Sequence, residues 1–378
     1  MDFSLNDEQT MLAESVARFI DHEYSFAERQ RIAESEEGYS ERIWKSFSEL
    51  GWTALPFVEE DGGLGGSAIE LMLLMEAFGR GLVVEPFLAT VVLAGGALKR
   101  LGTPEQKSRW LTPLISGDLQ AALAFTEPQS RFDLFDIATT ARLSGNDYVL
   151  SGRKSVVLNG GAELLIVPAR TSGAQCSEEG ITFFAITGEA AGLGRSKYRT
   201  VDGHRAAEIS LRDVRVPRAN VLGPVGGAAS ALQDVIDEAT LASCAEAFGI
   251  LCALQEKTVE YSRNRVQFGA PIASFQALQH RMADMLIARE QLRSLLNWAV
   301  MLRAAGAPEA RRAVSAVKYQ VGTAGRRIAE EAVQLHGGMG VTWELDVAHY
   351  FKRFSTLAIL FGNADYHLDR FCELAGRA

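Results

Sequence analysis

Two segments in the last third of the chain contain arginine, glutamine and paired glycines, which are residue types that could contact a polar or charged ligand. The first reads RNRVQFGAPIASFQALQHRMADM (263–285) and the second reads QLHGGMGVTWELDVAHYFKR (334–353). An arginine such as Arg265 can form a charge-assisted contact with a phosphate. The pair Gly337 and Gly338 lets a backbone approach a ligand closely. The alternative interpretation is structural, with an arginine on a helix surface and a glycine pair that ends a helix.

Proton abstraction needs a base such as a carboxylate or a histidine, and the same third of the chain contains candidates. Asp237 and Glu238 lie side by side on a predicted long helix, and Asp365 lies near the end of the sequence. Each carboxylate could equally lie on a solvated helix face. For His336, which precedes the glycine pair, we expect a structural role rather than a catalytic one.

Length and composition exclude several classes of protein. The chain has 378 residues, enough for two or three domains, and its 47% hydrophobic and 22% charged residues are typical of a globular protein. A net charge of −9 argues against a nucleic-acid partner. No apolar run approaches the roughly 20 residues of a membrane span, and the N-terminal stretch does not look like a signal peptide. The scattered cysteines favour a cytoplasmic location without disulfides or a bound metal; they are Cys176, Cys244, Cys252 and Cys372.

The residue pattern predicts an α+β fold in which helices come first, then an antiparallel sheet, then helices again. Helical apolar spacing follows capping residues at Asn6, Ser40 and Thr103. Short Val- and Ile-rich runs then alternate with turns such as the one at 144–147. The predicted domains are an N-terminal helical domain (1–120), a middle β-domain (121–226) and a C-terminal helical bundle (227–378).

The order of elements and five motifs together resemble the acyl-CoA dehydrogenase family over nearly the whole chain. Besides the two segments above, the motifs are FTEP (125–128), KSVVLNG (154–160) and LRDVRVPRANVLG (211–223). More narrowly, HYFKR (349–353) and LFGNADYHL (360–368) resemble the small subunit of pimeloyl-CoA dehydrogenase and related hetero-oligomeric members. The resemblance implies an oxidoreductase acting on a CH–CH bond. A carboxylate removes the α-proton of an acyl-CoA while FAD accepts the hydride from the β-carbon.

The resemblance also implies positions for FAD. Thr126 matches a threonine that hydrogen-bonds the flavin edge, although it could instead be a capping or turn residue. Other positions match residues that bind the adenosine and pyrophosphate of an FAD held partly by a neighbouring subunit. These positions are Arg265, Phe268, Gln276, Gln334, Gly337 and Gly338.

This chain departs from the family where the protein would face the flavin ring. Val156, Val157 and Leu158 stand where the family has Trp-Ile-Thr or Trp-Ile-Ser. A valine cannot stack on the flavin and a leucine cannot donate a hydrogen bond. The residues 129–132 also replace the small residues that usually approach the pyrophosphate, with Arg131 adding bulk. We therefore expect a depleted flavin-facing half, or simply an ordinary buried strand.

The family's catalytic glutamate is missing as well. Phe361 occupies its usual place before a glycine, and Ala239 occupies the alternative place on the long helix. Phenylalanine cannot accept a proton, so the weak remaining candidates are Asp237, Glu238 and Asp365.

Three functional hypotheses follow from this pattern. In the first, the chain is the base-less subunit of a hetero-oligomeric (α2β2) acyl-CoA dehydrogenase that forms a 2-enoyl-CoA and passes electrons to electron-transfer flavoprotein. In the second, it is a self-sufficient homotetramer with a relocated carboxylate. In the third, it is a non-catalytic scaffold or a CoA-ester binding protein. None of them involves nucleic acid or a membrane.

Overall fold

The computed structural model describes residues 4–376, which fold into helices and one large mixed sheet. Two units result. Unit 1 combines the chain up to Arg31, Ser67–Val83 and the chain from Thr240 onward, and unit 2 combines Ile32–Gly66 with Val84–Ala239. The division into three domains at residues 120 and 226 stays a prediction.

Helices precede and follow a central run of strands along the chain. The α-helices are α1 (Asp7–Glu23), α2 (Phe26–Glu34), α3 (Glu41–Glu49), α4 (Ala68–Gly81), α5 (Gly96–Leu101), α6 (Pro104–Gln106), α7 (Thr112–Ile115), α8 (Ala229–Asn264), α9 (Gln276–Ala304), α10 (Ala310–Gln320), α11 (Arg326–His336), α12 (Asp346–Ile359) and α13 (Ala364–Gly376). π-Helical segments occupy Leu88–Gly95, Lys107–Leu111 and Val321–Gly325. The strands are β1 (Ala121–Leu123), β2 (Thr140–Ser144), β3 (Asp147–Leu158), β4 (Leu164–Arg170), β5 (Ile181–Thr187), β6 (Leu193–Arg199), β7 (Arg205–Pro217), β8 (Val221–Leu222), β9 (Val266–Gln267) and β10 (Ala270–Pro271).

The sheet of unit 2 has the strand order β6-β7-β3-β2-β4-β5-β8, with β1 beside β4. Most neighbouring strands are antiparallel, as predicted, but β4 pairs in parallel with both β1 and β2. The sheet is therefore mixed. Fully buried side chains such as Leu150, Leu165 and Phe184 form its core.

Helix starts lie where the capping residues predicted them. The Asn6 side chain accepts a hydrogen bond from the Gln9 backbone N–H at 2.8 Å, and the Gln9 side chain returns the contact, which forms a capping box. Ser40 caps α3 and Thr103 caps α6 in the same way, through side-chain oxygens that accept backbone N–H groups. These local interactions explain why sequence periodicity located the helices.

In unit 1, α4 and α8 pack with their backbones in close approach. A Cβ atom added to Gly79 would lie 2.0 Å from the carbonyl oxygen of Glu246, and one added to Gly249 would lie 1.9 Å from that of Glu76. Both glycines are therefore required by the crossing itself, because no side chain fits between the two backbones.

We predict that Gly249→Ala or Gly79→Ala lowers the free energy of unfolding by about 2–3 kcal/mol, because the two helices must move apart. Denaturant titration measures the change. Gly96→Ala is the matched control, since the nearest atom to its added Cβ would be the flexible end of Arg100, at 3.3 Å. That variant should be neutral or more stable by up to about 1 kcal/mol. Equal losses in all three variants would contradict the packing argument.

Candidate active site

The segment after α8 forms a short hairpin with an exposed aromatic tip. Strands β9 and β10 pair antiparallel around a two-residue turn formed by Phe268 and Gly269. Both turn residues have positive φ (54° and 80°), as in a type I′ turn. That turn favours Asn-Gly, whereas the Phe268 ring here is 94% exposed and contacts only the edge of Phe275 among aromatic rings of the described residues. Folding of this chain does not explain an aromatic residue at this position.

The other predicted residues of this segment surround the hairpin. Arg265 precedes β9, and Gln276 is the first residue of α9. Both side chains are exposed. Three groups predicted to bind the adenosine and pyrophosphate, the Arg265 guanidinium, the Phe268 ring and the Gln276 amide, thus lie on one exposed stretch of unit 1.

The glycine pair follows α11 directly and is also exposed. Gly337 has φ 60° and ψ −141°, a backbone conformation that disfavours other residues. A Cβ added to Gly337 or Gly338 would meet nothing within 4 Å. No residue within 4–376 fills the space beside these glycines, so the pair leaves room for a ligand or another subunit. Gln334, on the last turn of α11, is exposed nearby in sequence.

Two histidines lie on either side of the loop after the glycine pair, and His349 bonds that loop directly. His336 donates from Nδ1 to the carbonyl oxygen of Ala332 at 2.8 Å and stacks on Tyr261 with ring centroids 4.5 Å apart. His349 donates from Nε2 to the carbonyl oxygen of Trp343 at 3.0 Å. These contacts support the structural role expected for His336.

His349 is buried in a polar and aromatic cluster that sequence reasoning missed. Arg29 donates from Nη1 to His349 Nδ1 at 3.2 Å, so the imidazole is neutral with its proton on Nε2. Phe26 and Trp343 contact the ring edge-on. Burial lowers the pKa of His349, and the charges of Arg29 and Lys352 act in the same direction. The sequence feature that could have pointed to His349 is its position in the HYFKR motif (349–353).

At the predicted base position, Phe361 lies in a tight turn between α12 and α13. Its φ is 62°, its side chain is 9% exposed, and the following Gly362 has φ 117°. His367 donates from Nε2 to the Phe361 carbonyl oxygen at 3.0 Å. Burial lowers the pKa of His367 to about 3, which keeps this ring neutral. The backbone of the turn is therefore fixed, and the side chain it carries cannot accept a proton.

Helix α12 connects the glycine loop to this turn and is fixed by buried polar contacts. Arg353 donates from Nε to Glu246 Oε1 at 2.6 Å and from Nη2 to Glu246 Oε2 at 2.9 Å. Lys318, fully buried, donates to the carbonyl oxygen of Leu357 in the last turn of α12. Burial lowers the pKa of Lys318 to about 8.

The three carboxylates proposed as relocated bases lie in different environments. Glu238 accepts a hydrogen bond from Arg100 Nη2 and forms an ion pair with it. Asp237 is buried, with 1% exposure, and accepts a hydrogen bond from Gln233 Nε2 at 3.2 Å. Asp365 is exposed in the first turn of α13. Of the three, Asp237 is the most buried.

In unit 2, strand β3 bulges where the family has its flavin-facing tryptophan. The register between β3 and β7 shifts between Lys154 and Val157. Val156 has φ 50° and is 49% exposed, and its N–H donates to Glu208 Oε1 at 3.1 Å. A β-branched residue is unfavourable in this backbone region. The bulge carries a small aliphatic side chain, and valine has no ring that could stack on a flavin.

Beneath this bulge lies a buried ion pair. Lys154 donates from Nζ to Glu127 Oε1 at 2.6 Å, and both side chains are almost fully buried. Glu127 also accepts the backbone N–H groups of Ala138 and Thr139. Burial acts to raise the pKa of Glu127, but Lys154 and these hydrogen bonds outweigh it and lower the pKa. The carboxylate therefore stays charged and joins three segments of the unit.

Thr126 directly precedes Glu127, so the ion pair between Glu127 and Lys154 also helps to position Thr126 and the loop that follows it. The carbonyl oxygen of Thr126 accepts the N–H of Ser155 at 2.9 Å, which places Thr126, half-buried, beside the bulge. Arg131 is exposed with φ 48°. Arg170 fixes the loop from the other side by donating to the carbonyl oxygens of Phe135, Ile137, Gln175, Ser177 and Glu179.

The two units differ in how well their residues fit FAD. In unit 1, the open space at Gly337 and Gly338 and the exposed Arg265 fit an adenosine and pyrophosphate. In unit 2, Thr126 offers a hydroxyl, but Val156 has no ring to stack on a flavin. The residues of unit 1 fit the cofactor better than those of unit 2.

Sequence comparison identifies the family. Residues 6–118, 122–214 and 226–373 match the profiles of the acyl-CoA dehydrogenase N-terminal, middle and C-terminal domains. The probable acyl-CoA dehydrogenase YngJ of Bacillus subtilis is 33% identical over 372 residues, which cover 97% of this chain and 97% of YngJ. The chain belongs to the acyl-CoA dehydrogenase family. Members of this family are FAD-dependent oxidoreductases that take part in fatty acid oxidation.

Solved structures with the same fold agree with this assignment. The structure described as PigA with FAD and proline has a TM-score of 0.92 at 27% identity, with 100% of both chains covered. A chain of the ChsE4–ChsE5 complex from Mycobacterium tuberculosis has a TM-score of 0.90 at 27% identity, again with 100% of both chains covered. Within residues 4–376 of the present chain, no helix has the length and hydropathy needed to cross a membrane.

We predict that stability falls in mild acid because buried histidines stay neutral in the folded chain. Burial lowers the pKa of His336, His349 and His367 below the ordinary value of 6.5. Below that pH the unfolded chain takes up protons that the folded chain does not, so the free energy of unfolding is highest above pH 6.5 and decreases below it. His367, whose pKa is lowered to about 3, contributes about 1.4 kcal/mol per pH unit well below pH 6.5, and His336 and His349 add to the slope in the same direction.

Urea unfolding between about pH 7 and about pH 5 measures this slope. His349→Asn should reduce the slope, whereas His22→Asn, which replaces an exposed histidine of α1, should leave it unchanged. An identical slope in the wild type and in His349→Asn would contradict the assignment of His349 as a neutral buried ring.

Proposed function

We propose that this chain is the subunit without a catalytic base in a hetero-oligomeric acyl-CoA dehydrogenase that converts an acyl-CoA into a 2-enoyl-CoA. A sister chain of the same family supplies the carboxylate that removes the α-proton and the side chains that face the flavin. FAD, when bound, accepts the hydride from the β-carbon. The expected assembly is a dimer of heterodimers that contains fewer FAD molecules than chains.

The observation that carries this proposal is the turn at Phe361. His367 and Gly362 fix its backbone, and the residue at the base position is a buried hydrocarbon. Removing a general base typically costs about 10²- to 10⁴-fold in rate. A chain that depended on its own residue 361 would therefore be a very poor enzyme.

The contrast between the two units supports the same conclusion. Unit 1 retains a set of exposed groups suited to an adenosine and a pyrophosphate, namely Arg265, Phe268, Gln276, Gln334, Gly337 and Gly338. In unit 2, Val156 leaves the flavin-facing bulge without an aromatic ring. We infer that this chain donates its unit 1 residues to an FAD whose flavin ring lies against the sister chain. The ChsE4–ChsE5 complex is a precedent for two differently named proteins assembling on this fold.

A second candidate function is a self-sufficient homotetramer in which Asp237 is the base. Its burial favours this carboxylate over Glu238, which is less buried and paired with Arg100, and over the exposed Asp365. This alternative requires that the isolated chain binds FAD and turns over.

Electron-transfer flavoprotein is the electron acceptor we infer for the complex, by resemblance to the family. We also infer a cytoplasmic location. The exposed thiols of Cys176 and Cys372 and the buried thiols of Cys244 and Cys252 are all free, which is compatible with a reducing compartment.

The test is to produce this chain alone and together with an acyl-CoA dehydrogenase of the same organism that keeps the glutamate. Flavin per chain and turnover of an acyl-CoA series with an artificial electron acceptor are then measured. We predict little or no flavin in the isolated chain, and both flavin and turnover in the complex. Arg265→Met in this chain should lower the flavin content of the complex, whereas Phe361→Leu should leave turnover unchanged.

Each other outcome selects a different function. One FAD per chain with turnover in the isolated protein would refute the shared site. Loss of that turnover in a folded Asp237→Asn variant would identify Asp237 as the base, and a mass measurement of four chains would establish the homotetramer. Complete absence of flavin from every complex would leave the scaffold hypothesis.

We predict that Phe268→Asn stabilises the isolated chain but weakens flavin binding in the complex. Asn-Gly is the preferred sequence of a type I′ turn, so relief of the left-handed phenylalanine should raise the free energy of unfolding by about 1 kcal/mol. The flavin content of the complex should fall because the ring at the tip is lost. Leu143→Asn is the control, since it removes another exposed apolar side chain, 59% exposed, outside the hairpin. A complex that keeps its full flavin content with Phe268→Asn would show that the tip has no role in the site.

A further inference from the structure

Unit 1 contains a pocket that the proposed dehydrogenation does not use. It lies between α1, α4 and α9, and its volume is about 450 Å³. Pockets of roughly 300–1,000 Å³ are typical of small-molecule sites. None of the residues proposed for FAD or for the base lines this pocket.

Most of the surface of the pocket is apolar. Its deepest residues are Met72, Ala77 and Val300, with exposures of 6%, 8% and 1%. Ala13 and Ala17, one turn apart on α1, form a wall of small side chains that leaves the space open. Methionine adapts its shape to a bound apolar molecule. The pocket therefore suits a flexible hydrocarbon.

The charges at one end of the pocket are already neutralised. Arg293 donates from Nη1 and Nη2 to both carboxylate oxygens of Glu76 at 2.6 and 2.5 Å, and its guanidinium lies 3.9 Å from the centroid of the Phe248 ring. Arg80 donates to Glu256 at 2.6 Å. Each arginine already has its charge compensated by a carboxylate, and an incoming carboxylate would lie beside Glu76. A bound ligand is therefore expected to be uncharged.

One polar group of the pocket remains available. The Asn297 amide lines the pocket and makes no hydrogen bond to any residue in the part of the chain that the structure describes. An amide can both donate and accept. It can satisfy the single oxygen of an alcohol, ketone or ester.

We propose that this pocket, lined by α1, α4 and α9, is a binding site for an uncharged molecule that has an apolar chain and one hydrogen-bonding oxygen near Asn297. Such a ligand bridges α1 to α4 and α9 within unit 1. The site is separate from the residues proposed for FAD and for the base.

The experiment titrates the purified full-length chain with 1-decanol by calorimetry, with decanoate as the charged probe. We expect one decanol per chain and at least tenfold weaker binding of decanoate. Ala13→Phe fills the pocket and should weaken decanol binding at least tenfold. Ala27→Phe makes the same change at an exposed position of α2 and should leave binding unchanged. Asn297→Leu should weaken decanol binding severalfold.

Several outcomes would overturn the proposal. These are the absence of saturable decanol binding, decanol binding that Ala13→Phe does not affect, or decanoate binding as tight as decanol binding. A change of oligomeric state in Ala13→Phe would identify the pocket as an interface instead, and if that variant fails to fold, Ala17→Leu replaces it. The titration needs neither flavin nor a sister chain, so its result is independent of the proposed function.

Discussion

The arrangement of unit 1 depends on the buried ion pair between Glu246 of α8 and Arg353 of α12. Their side chains are 3% and 6% exposed, and two hydrogen bonds join them in parallel. Removing one partner of such a pair typically costs about 3–5 kcal/mol, because the other charge is left buried. Glu246 lies where α8 touches α4 through Gly79, so the ion pair and the glycine crossing position three helices together.

This constraint links the two features that matter most for function. Helix α12 begins just after the glycine loop, where His349 binds the Trp343 carbonyl, and ends just before the turn at Phe361. Because these contacts hold α12 in place, they also hold the glycine loop at its start and the turn at Phe361 at its end. The backbone of the turn at Phe361, where the family resemblance places the base, is held by these contacts, although the Phe361 side chain cannot transfer protons. A chain that keeps the geometry without the chemical group is easier to understand as part of a larger assembly.

Much of the fold could be predicted because its signals are local. Capping residues such as Asn6 and Ser40 and the apolar spacing after them depend only on neighbours in sequence. Strand β6 was not predicted, because this edge strand is largely polar and lacks the alternation of a half-buried strand. The parallel pairing of β4 with β1 and β2 was missed for a different reason. Whether two strands pair parallel or antiparallel depends on the path of the chain that connects them, and not on the residues of the strands themselves.

The candidate site could be predicted only by residue type and position along the chain. The sequence identified Glu238 as a candidate base, but it could not show that Glu238 forms an ion pair with Arg100. It could nominate Phe268, but not show that the residue lies in a left-handed turn with its ring in solvent. A hydrogen-bond partner that is distant in sequence, as Arg29 is from His349, cannot be predicted from the residues adjacent to either side chain.

The hairpin at Phe268 has a consequence for how the protein must be made. Phe268 belongs to a group of exposed apolar residues with Val266 and Phe275, and exposed apolar patches promote association of a chain in isolation. Covering the tip in an assembly removes this liability. In the proposed hetero-oligomer, the amount of correctly folded, non-associating chain is therefore limited by the supply of the sister chain that covers the hairpin, and the two chains need to be made in balanced amounts.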